Sequence, residues 1–178
     1  FVKNNEIGFE LGLLKNRISI EGTYYTQDNT DQIVQVAYSG ATGFTSALLN
    51  AASFTNKGYE FDLKLTPLVK LGKVNIDFKA NYTNQSNEVT KIIEGVDQLG
   101  IGNGNYVIVG KPAYTFQLTD YVRDDQGRVI VDKNTGYPTV DPTIKPFGQT
   151  QPKHLLGLNL NVSWKDLTFS AVADYRGG

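Results

Sequence analysis

One histidine, His154, and no cysteine among 178 residues narrow the chemistry open to this chain. A nucleophilic triad or dyad needs a base beside a nucleophile and an orienting acid, and nothing around His154, which follows Pro152-Lys153, repeats such a pattern. Lacking cysteine, the chain has no disulfides, thiolate zinc sites or thiol nucleophiles. One imidazole is too little for a zinc centre. No catalytic, cofactor-binding or metal-ligating residue is therefore expected, and His154 reads as an ordinary histidine at a strand start.

Oxygen ligands are more plentiful. Asp120, Asp124, Asp125 and Asp132 are carboxylates of the kind that bind calcium, but their spacing lacks the central glycine and terminal glutamate of the twelve-residue calcium loop. They read as solvated turn residues. Gly100, Gly102 and Gly104 resemble a phosphate-cradling loop, yet neither a leading strand nor a following helix is expected there, so loop flexibility is the reading. The sequons at Asn81, Asn84 and Asn161 bear on function only in a eukaryotic secretory setting. Tyr38, Phe44, Tyr106, Tyr114, Phe116 and Tyr121, with Tyr137 and Phe147, either stack on sugar rings or fill small cores within their own loops. The first six are the candidate substrate contacts.

Composition excludes several classes. A formal net charge of -1 and a pI near 5.8 give no electrostatic footprint for nucleic acid. At 40% hydrophobic and 11% aromatic residues the chain has the composition of a folded domain. It contains no run of about 18 apolar residues and so no transmembrane helix, but a membrane-spanning strand needs only about 9 to 11 alternating residues. Residues 1–6 lack the charged start and apolar stretch of a signal peptide, and both ends read as cut from something longer.

The elements that must hold these residues are three hairpins with short turns. Strand side chains alternate faces, so pairing Leu13 with Ile18 also pairs Leu11 with Ile20 and Ile7 with Tyr24. All then share one side, with Glu10, Ser19, Glu21 and Thr23 on the other. Tyr59, Phe61, Leu63 and Leu65 meet Val74, Ile76, Phe78 and Ala80 across a connection containing Pro67 and Gly72, backed by Glu60, Asp62, Lys64, Asp77 and Lys79. Leu156, Leu158, Leu160 and Val162 meet Phe169, Ala171, Ala173 and Tyr175 across Lys165-Asp166, backed by Asn159, Asn161, Ser170, Asp174 and Arg176. Each strand has one apolar face and one face of charges and amides.

The pattern predicts an all-β, antiparallel fold with strands at about 5–14, 17–30, 53–66, 73–84, 154–164 and 167–176. The long connections, about 31–52 and about 85–152, fall on one side and the tight turns on the other, which is the asymmetry of outer-membrane barrels. Inside the second, hairpin turns are expected at Asp125-Gln126-Gly127 and Asn134-Thr135-Gly136. Tyr24, Tyr25, Phe54, Tyr59 and Tyr82 near the long-loop ends and Trp164 at a short-turn end fit two interfacial girdles, or are simply good strand residues. About six strands cannot close around a lumen, since the smallest such barrels have about eight, so the segment is expected to be part of a larger wall.

Asn50 to Glu60, with Thr42-Gly43-Phe44 upstream and Thr66-Pro67 downstream, resembles the late barrel of SusC/RagA-type TonB-dependent transporters of Bacteroidetes. Glu6-Ile7-Gly8, Asn16-Arg17, Tyr24-Tyr25, Val109-Gly110-Lys111-Pro112 and Gln151-Pro152-Lys153 are similar to flanking parts of that family, whereas 120–146 aligns with nothing expected. The resemblance implies a barrel of about 22 strands, plugged by a domain absent from this chain, that actively imports oligosaccharides or peptides across the Gram-negative outer membrane. It also implies a SusD-like surface lipoprotein as lid, energy from TonB through the missing plug, and contact with outer-membrane lipid. Within the motif, Gly58 is expected to permit a bend or bulge, or to be plain strand-start chemistry, with Asn56 and Lys57 near the rim or lumen. The rival readings are a soluble lipocalin-like ligand-binding barrel, a passive porin and an outer-membrane enzyme; the scarcity of histidine disfavours the last.

Overall fold

The computed structural model describes residues 1–37 and 40–178. Ten strands follow in order: β1 Val2–Leu13, β2 Ile18–Ala37, β3 Ser46–Leu71, β4 Val74–Ile92, β5 Gln98–Gly102, β6 Asn105–Ile108, β7 Thr115–Tyr121, β8 Val140–Gln149, β9 His154–Trp164 and β10 Leu167–Gly177, with one 3-10 turn at Gly40–Thr42. They form two antiparallel sheets. The larger runs β1-β2-β3-β4-β9-β10, and the smaller runs β5-β6-β7-β8.

The first hairpin has the register that its alternation dictates, with Leu13 opposite Ile18, Leu11 opposite Ile20 and Ile7 opposite Tyr24. Across the larger sheet the apolar positions line up strand by strand. One row is Leu11, Ile20, Leu63, Ala80, Leu158 and Ala173, and the next is Leu13, Ile18, Leu65, Phe78, Leu160 and Ala171. None of the described elements covers this face. Ile7 is 72% exposed and Phe169 63%.

The core lies elsewhere. Ala51, Ala52, Val89 and Ile92 from the far ends of β3 and β4 pack with Leu99, Val107 and Ala113 of the small sheet and its loop, and Val89 is fully buried. This core explains why three strands run beyond the expected bounds: β2 continues to Ala37, β3 starts at Ser46, and β4 reaches Ile92. The additional residues find ladder partners, such as Val34 opposite Leu49, and an apolar surface to cover. The stretches expected as long connections at 31–52 and 85–152 thus contain strands, the second holding the small sheet in addition to the hairpin turns expected within it. At the opposite end, β3 continues through Pro67 to Leu71, so the turn is only Gly72-Lys73, with Gly72 at φ 59°. The register skips from Leu65 opposite Phe78 to Val69 opposite Ile76; a bulge takes up the proline, which has no N–H to give the ladder.

Gly58 does not mark a bulge. It is opposite Tyr25 on one side and Gln85 on the other in unbroken register, and a Cβ there would come within 2.5 Å of the Tyr25 ring. Glycine is needed so that the Tyr25 ring can lie across the strand. Alternation from Tyr24 and from Asn56 puts Tyr25 and Phe54 on the polar face, so neither is part of the expected girdle. Tyr24 and Tyr59 do share the apolar face, with ring centroids 5.0 Å apart.

Between β7 and β8 the chain forms a small ribbon. Arg123 bridges Val129 around the first expected turn and Val131 bridges Pro138 around the second. Each turn is organised by a carboxylate. Asp124 accepts from the backbone N–H groups of Gln126 and Arg128 and from the Arg128 guanidinium at 2.7 Å. Asp132 accepts from the N–H groups of Asn134 and Thr135. Asp141 accepts from Lys145 Nζ at 2.6 Å and from Thr143 N–H.

Two outcomes follow. Gly58→Val should push the Tyr25 ring aside and cost about 1–2 kcal/mol, and pairing it with Tyr25→Ala should recover much of that cost in a double-mutant cycle read by thermal unfolding. The hydrogen bonds that donate to Asp124, Asp132 and Asp141 hold these carboxyls below their usual range; Asp141 is lowered from 3.8 to about 2, chiefly by Lys145. A depressed carboxyl stabilises its turn above its unfolded pKa and stops doing so as pH falls through its folded one. Hydrogen exchange at the Thr143 amide should therefore lose protection between pH about 4 and about 2, with Asp141→Asn abolishing that pH dependence, and the Arg128 and Thr135 amides should likewise lose protection on acidification below the ordinary carboxylate range.

Candidate functional site

The polar face of the large sheet is built in layers. One row, read across the strands, is Glu10, Glu21, Asp62, Asn81, Gly157 and Asp174. The neighbouring row is Gly12, Ser19, Lys64, Lys79, Asn159 and Val172. Acids and bases thus occupy adjacent rows, and Lys64 Nζ reaches across to Glu21 at 2.7 Å. Both partners are substantially exposed, so this pair adds little stability; it fixes where charge sits. Glu60, Asp62, Lys64, Lys79, Asn81 and Asn159 surround a shallow hollow of about 310 Å³.

Further along the same face comes a row of amides, Gln27, Asn56 and Asn87. Asn56 Nδ2 donates to Gln27 Oε1 at 3.0 Å, and Asn87 Oδ1 accepts from Ala113 N–H at 2.6 Å. Asn56 thus belongs to the polar face. Lys57, its neighbour, points to the opposite side, where it shares a row with Thr26 and Ser86 just past Tyr59.

Beyond the amides the face turns apolar. Phe54 and Ala52, with Ile33 and Val34 of β2 and Val107 and Ala113 from the small sheet side, line a cleft of about 620 Å³. Gln35 donates to Ser46 Oγ at its edge, at 2.9 Å. Apart from Tyr114, the residues of this cleft were not among the candidate substrate contacts read from the sequence. The usable signal was the β-branched content of Ile33-Val34-Gln35-Val36, which extends β2 into what read as a long connection.

The candidate aromatics separate. Tyr114 lines the cleft. Tyr106 and Phe116 are half-buried, with the Tyr106 ring beside Gly100 and the Phe116 ring beside Gly104, inside the small sheet. Phe44, Tyr121, Tyr137 and Phe147 are exposed. Tyr38 lies outside the described residues. The glycine triplet also has a definite role: a strand does lead into it, and Asn103 and Gly104, at φ 51° and 73°, make the two-residue turn between β5 and β6. Asparagine-glycine is the commonest such turn, so its signal was present.

His154 starts β9 opposite Asn84 at the long-loop end of the apolar face. Its Nδ1 contacts Tyr82 Oη at 2.8 Å and Asn84 Nδ2 at 3.1 Å. The amide can only donate, so Nδ1 is the accepting nitrogen and the proton sits on Nε2. Among the described residues the imidazole's hydrogen-bond partners are this phenol and this amide. Asp120, Asp124 and Asp132 are each engaged by their own turn or by a neighbouring arginine, and the described residues hold no group of three metal-binding side chains.

No family model matches the chain. It is 28% identical to TonB-dependent receptor P26 of Formosa agariphila over 93% of its length and 19% of that receptor. TonB-dependent receptor P39 of the same organism is 27% identical over 57% of the chain and 9% of the receptor. Among solved structures, the RagAB peptide transporter matches with a TM-score of 0.80 and 23% identity over 98% of this chain and 21% of that one. The RagAB peptide importer in its open-open state gives 0.77 at 23% identity, covering 98% and 20%. The chain spans about a fifth of the length of P26 and of the RagAB chains. It is similar in sequence to TonB-dependent receptors of Formosa agariphila, and its antiparallel all-β fold matches a part of the RagAB peptide transporter.

Proposed function

We propose that this chain is part of the wall and exterior loops of an outer-membrane, TonB-dependent transporter that imports oligosaccharides or peptides and has no catalytic role. The observation that carries this reading is the uncovered apolar face, which runs in register across six strands while the reverse face bears the charges. A soluble carrier of lipocalin type turns such a face inward, around its ligand. Here the only buried cluster among the described residues lies past the end of that face.

Dimensions support a membrane. The apolar face on β4, counted from Val74 to the rim row that holds Asn84 and His154, extends roughly 33 Å at about 3.3 Å per residue, which gives about 25 Å of height at a tilt near 40°. That is the thickness of the apolar band of outer-membrane barrels. Trp164, with Lys165 4.9 Å above its ring, sits at the tight-turn end, and Tyr24, Tyr59 and Tyr82 at the other, as interfacial residues do. In this reading lipid meets the apolar rows, the charged rows line the lumen around a plug that receives energy from TonB, and the small sheet shapes the entrance beneath a SusD-like lipoprotein. A passive porin would need no plug; homology to TonB-dependent receptors favours active import.

The assignment of faces is testable in the full transporter. Leu160→Arg or Phe61→Arg should impair assembly by about 2–4 kcal/mol near the bilayer midplane, with Asn159→Arg much milder. Folding yields into lipid vesicles measure this, and equal damage at Leu160 and Asn159 would refute the orientation. Uptake that persists after loss of TonB would refute active import.

A further inference from the structure

We propose that the apolar face of β1, β2 and β3 carries a defined site for a phosphorylated acyl lipid of the exterior leaflet, with an acyl chain in a groove over Gly22 and the headgroup phosphate on Lys57. The inference rests on the membrane reading of this face and assigns one particular lipid position on it. Its supports are relief, charge and order.

One row of the apolar face reads Phe9, Gly22, Phe61, Tyr82, Leu156 and Tyr175, so Gly22 is the single position in it without a side chain. Around that gap the exposed side chains of Ile7, Phe9, Tyr24, Tyr59 and Phe61 border a groove of about 460 Å³. An acyl chain lying in it meets apolar carbon on both sides as well as beneath, which a level stretch of sheet does not offer.

Lys57 faces the same side two residues beyond Tyr59, roughly 7 Å nearer the long-loop end at about 3.3 Å per residue. Its row holds Asn5, Thr26 and Ser86, none of them charged. Among the described residues no carboxylate comes within ion-pair distance of its ammonium. The row beyond carries Asp28 and Glu88 together with Lys3, and Asp28 already accepts from Thr55 Oγ1 at 2.7 Å. A cation at the rim of a lipid-facing surface attracts a headgroup phosphate, and its long stem lets it reach one. Directly across the ladder, Thr26 offers a hydroxyl to the same oxygens.

Tyr24 and Tyr59, with ring centroids 5.0 Å apart, stand between the groove and Lys57. Such amphipathic rings lie at headgroup level, so the boundary between hydrocarbon and headgroup falls there. Groove, aromatic boundary and cation therefore succeed one another in the order of acyl chain, linkage and phosphate in a lipid. A neutral lipid would leave the ammonium unmatched, and free phosphate would leave the groove empty.

The test uses the full transporter in nonionic detergent, with lipid A, the same lipid stripped of its phosphates, and inorganic phosphate as probes; native mass spectrometry counts bound lipid and protein copies. Wild type should prefer lipid A to its dephosphorylated form. Lys57→Gln should weaken lipid A binding about fivefold or more and leave the dephosphorylated lipid unaffected, while Lys57→Arg retains the preference. Ile7→Asn should weaken both lipids, and Lys133→Gln, which removes an exposed cation in the ribbon between β7 and β8, should change neither. All four variants should keep the wild-type thermal transition. Unchanged lipid A affinity in Lys57→Gln overturns the proposal, as does an equal loss in Lys133→Gln, which marks diffuse attraction. So does unchanged affinity in Ile7→Asn, inorganic phosphate that displaces lipid A at equal concentration, or a transporter dimer in place of bound lipid. The Leu160→Arg and Asn159→Arg comparison in vesicles reads the orientation of the faces separately, so any of these results with unequal damage there refutes the lipid site and leaves the membrane reading standing.

Discussion

Everything in this structure depends on an unbroken register. Six strands keep their pairing across the middle of the sheet, so each side chain's face is fixed by counting in twos along one strand and reading sideways to the next. A slip of one residue anywhere would send a row of leucines among the glutamates. The apolar face has no partner among the described residues, and this makes the register functional as well as structural: the face needs an apolar surrounding that the chain does not itself supply.

The same ladder explains the polar face. Adjacent acid and base rows, an amide row and an apolar cleft succeed one another along the strands, so the environment changes in steps along this face. Glycines adjust the relief. Gly58 leaves room for Tyr25, and on the apolar side Gly22 leaves room for the Phe9 ring. Neither interrupts pairing; each lets a large ring lie flat over the neighbouring strand. Two of the irregularities in the large sheet have a visible cause: Pro67 near the tight turn, and Asp31, at φ 52°, within the local shift between Asn29 and Gln32.

Much of the wall was legible because period-two alternation is a strong local signal, and the three hairpins carry it cleanly. The candidate site was far less so. Tyr114 was marked as a loop aromatic and does line the cleft, but Phe54 was placed with the interfacial tyrosines although its position two residues from Asn56 puts it on the polar face. Tyr25 was misplaced likewise, because consecutive aromatics look alike in a list and differ in parity. Gly100, Gly102 and Gly104 read as slack because the short strands around them are too brief to show a period; the Asn103-Gly104 turn was the better clue.

The residues themselves determined which side chains share a face, where the tight turns fall and that the chain carries no thiol, since these follow from order and type along a single strand or hairpin. The length of β2, β3 and β4 beyond the apolar rows, the core around Val89 and the cleft beside it were decided only in three dimensions. Ala51, Ala52, Val89, Leu99, Val107 and Ala113 come from segments up to about sixty residues apart, and each is too short or too weakly patterned to announce burial. They become a core because pairing β3 with β4 brings the small sheet over their ends, and burial of apolar surface then holds it there.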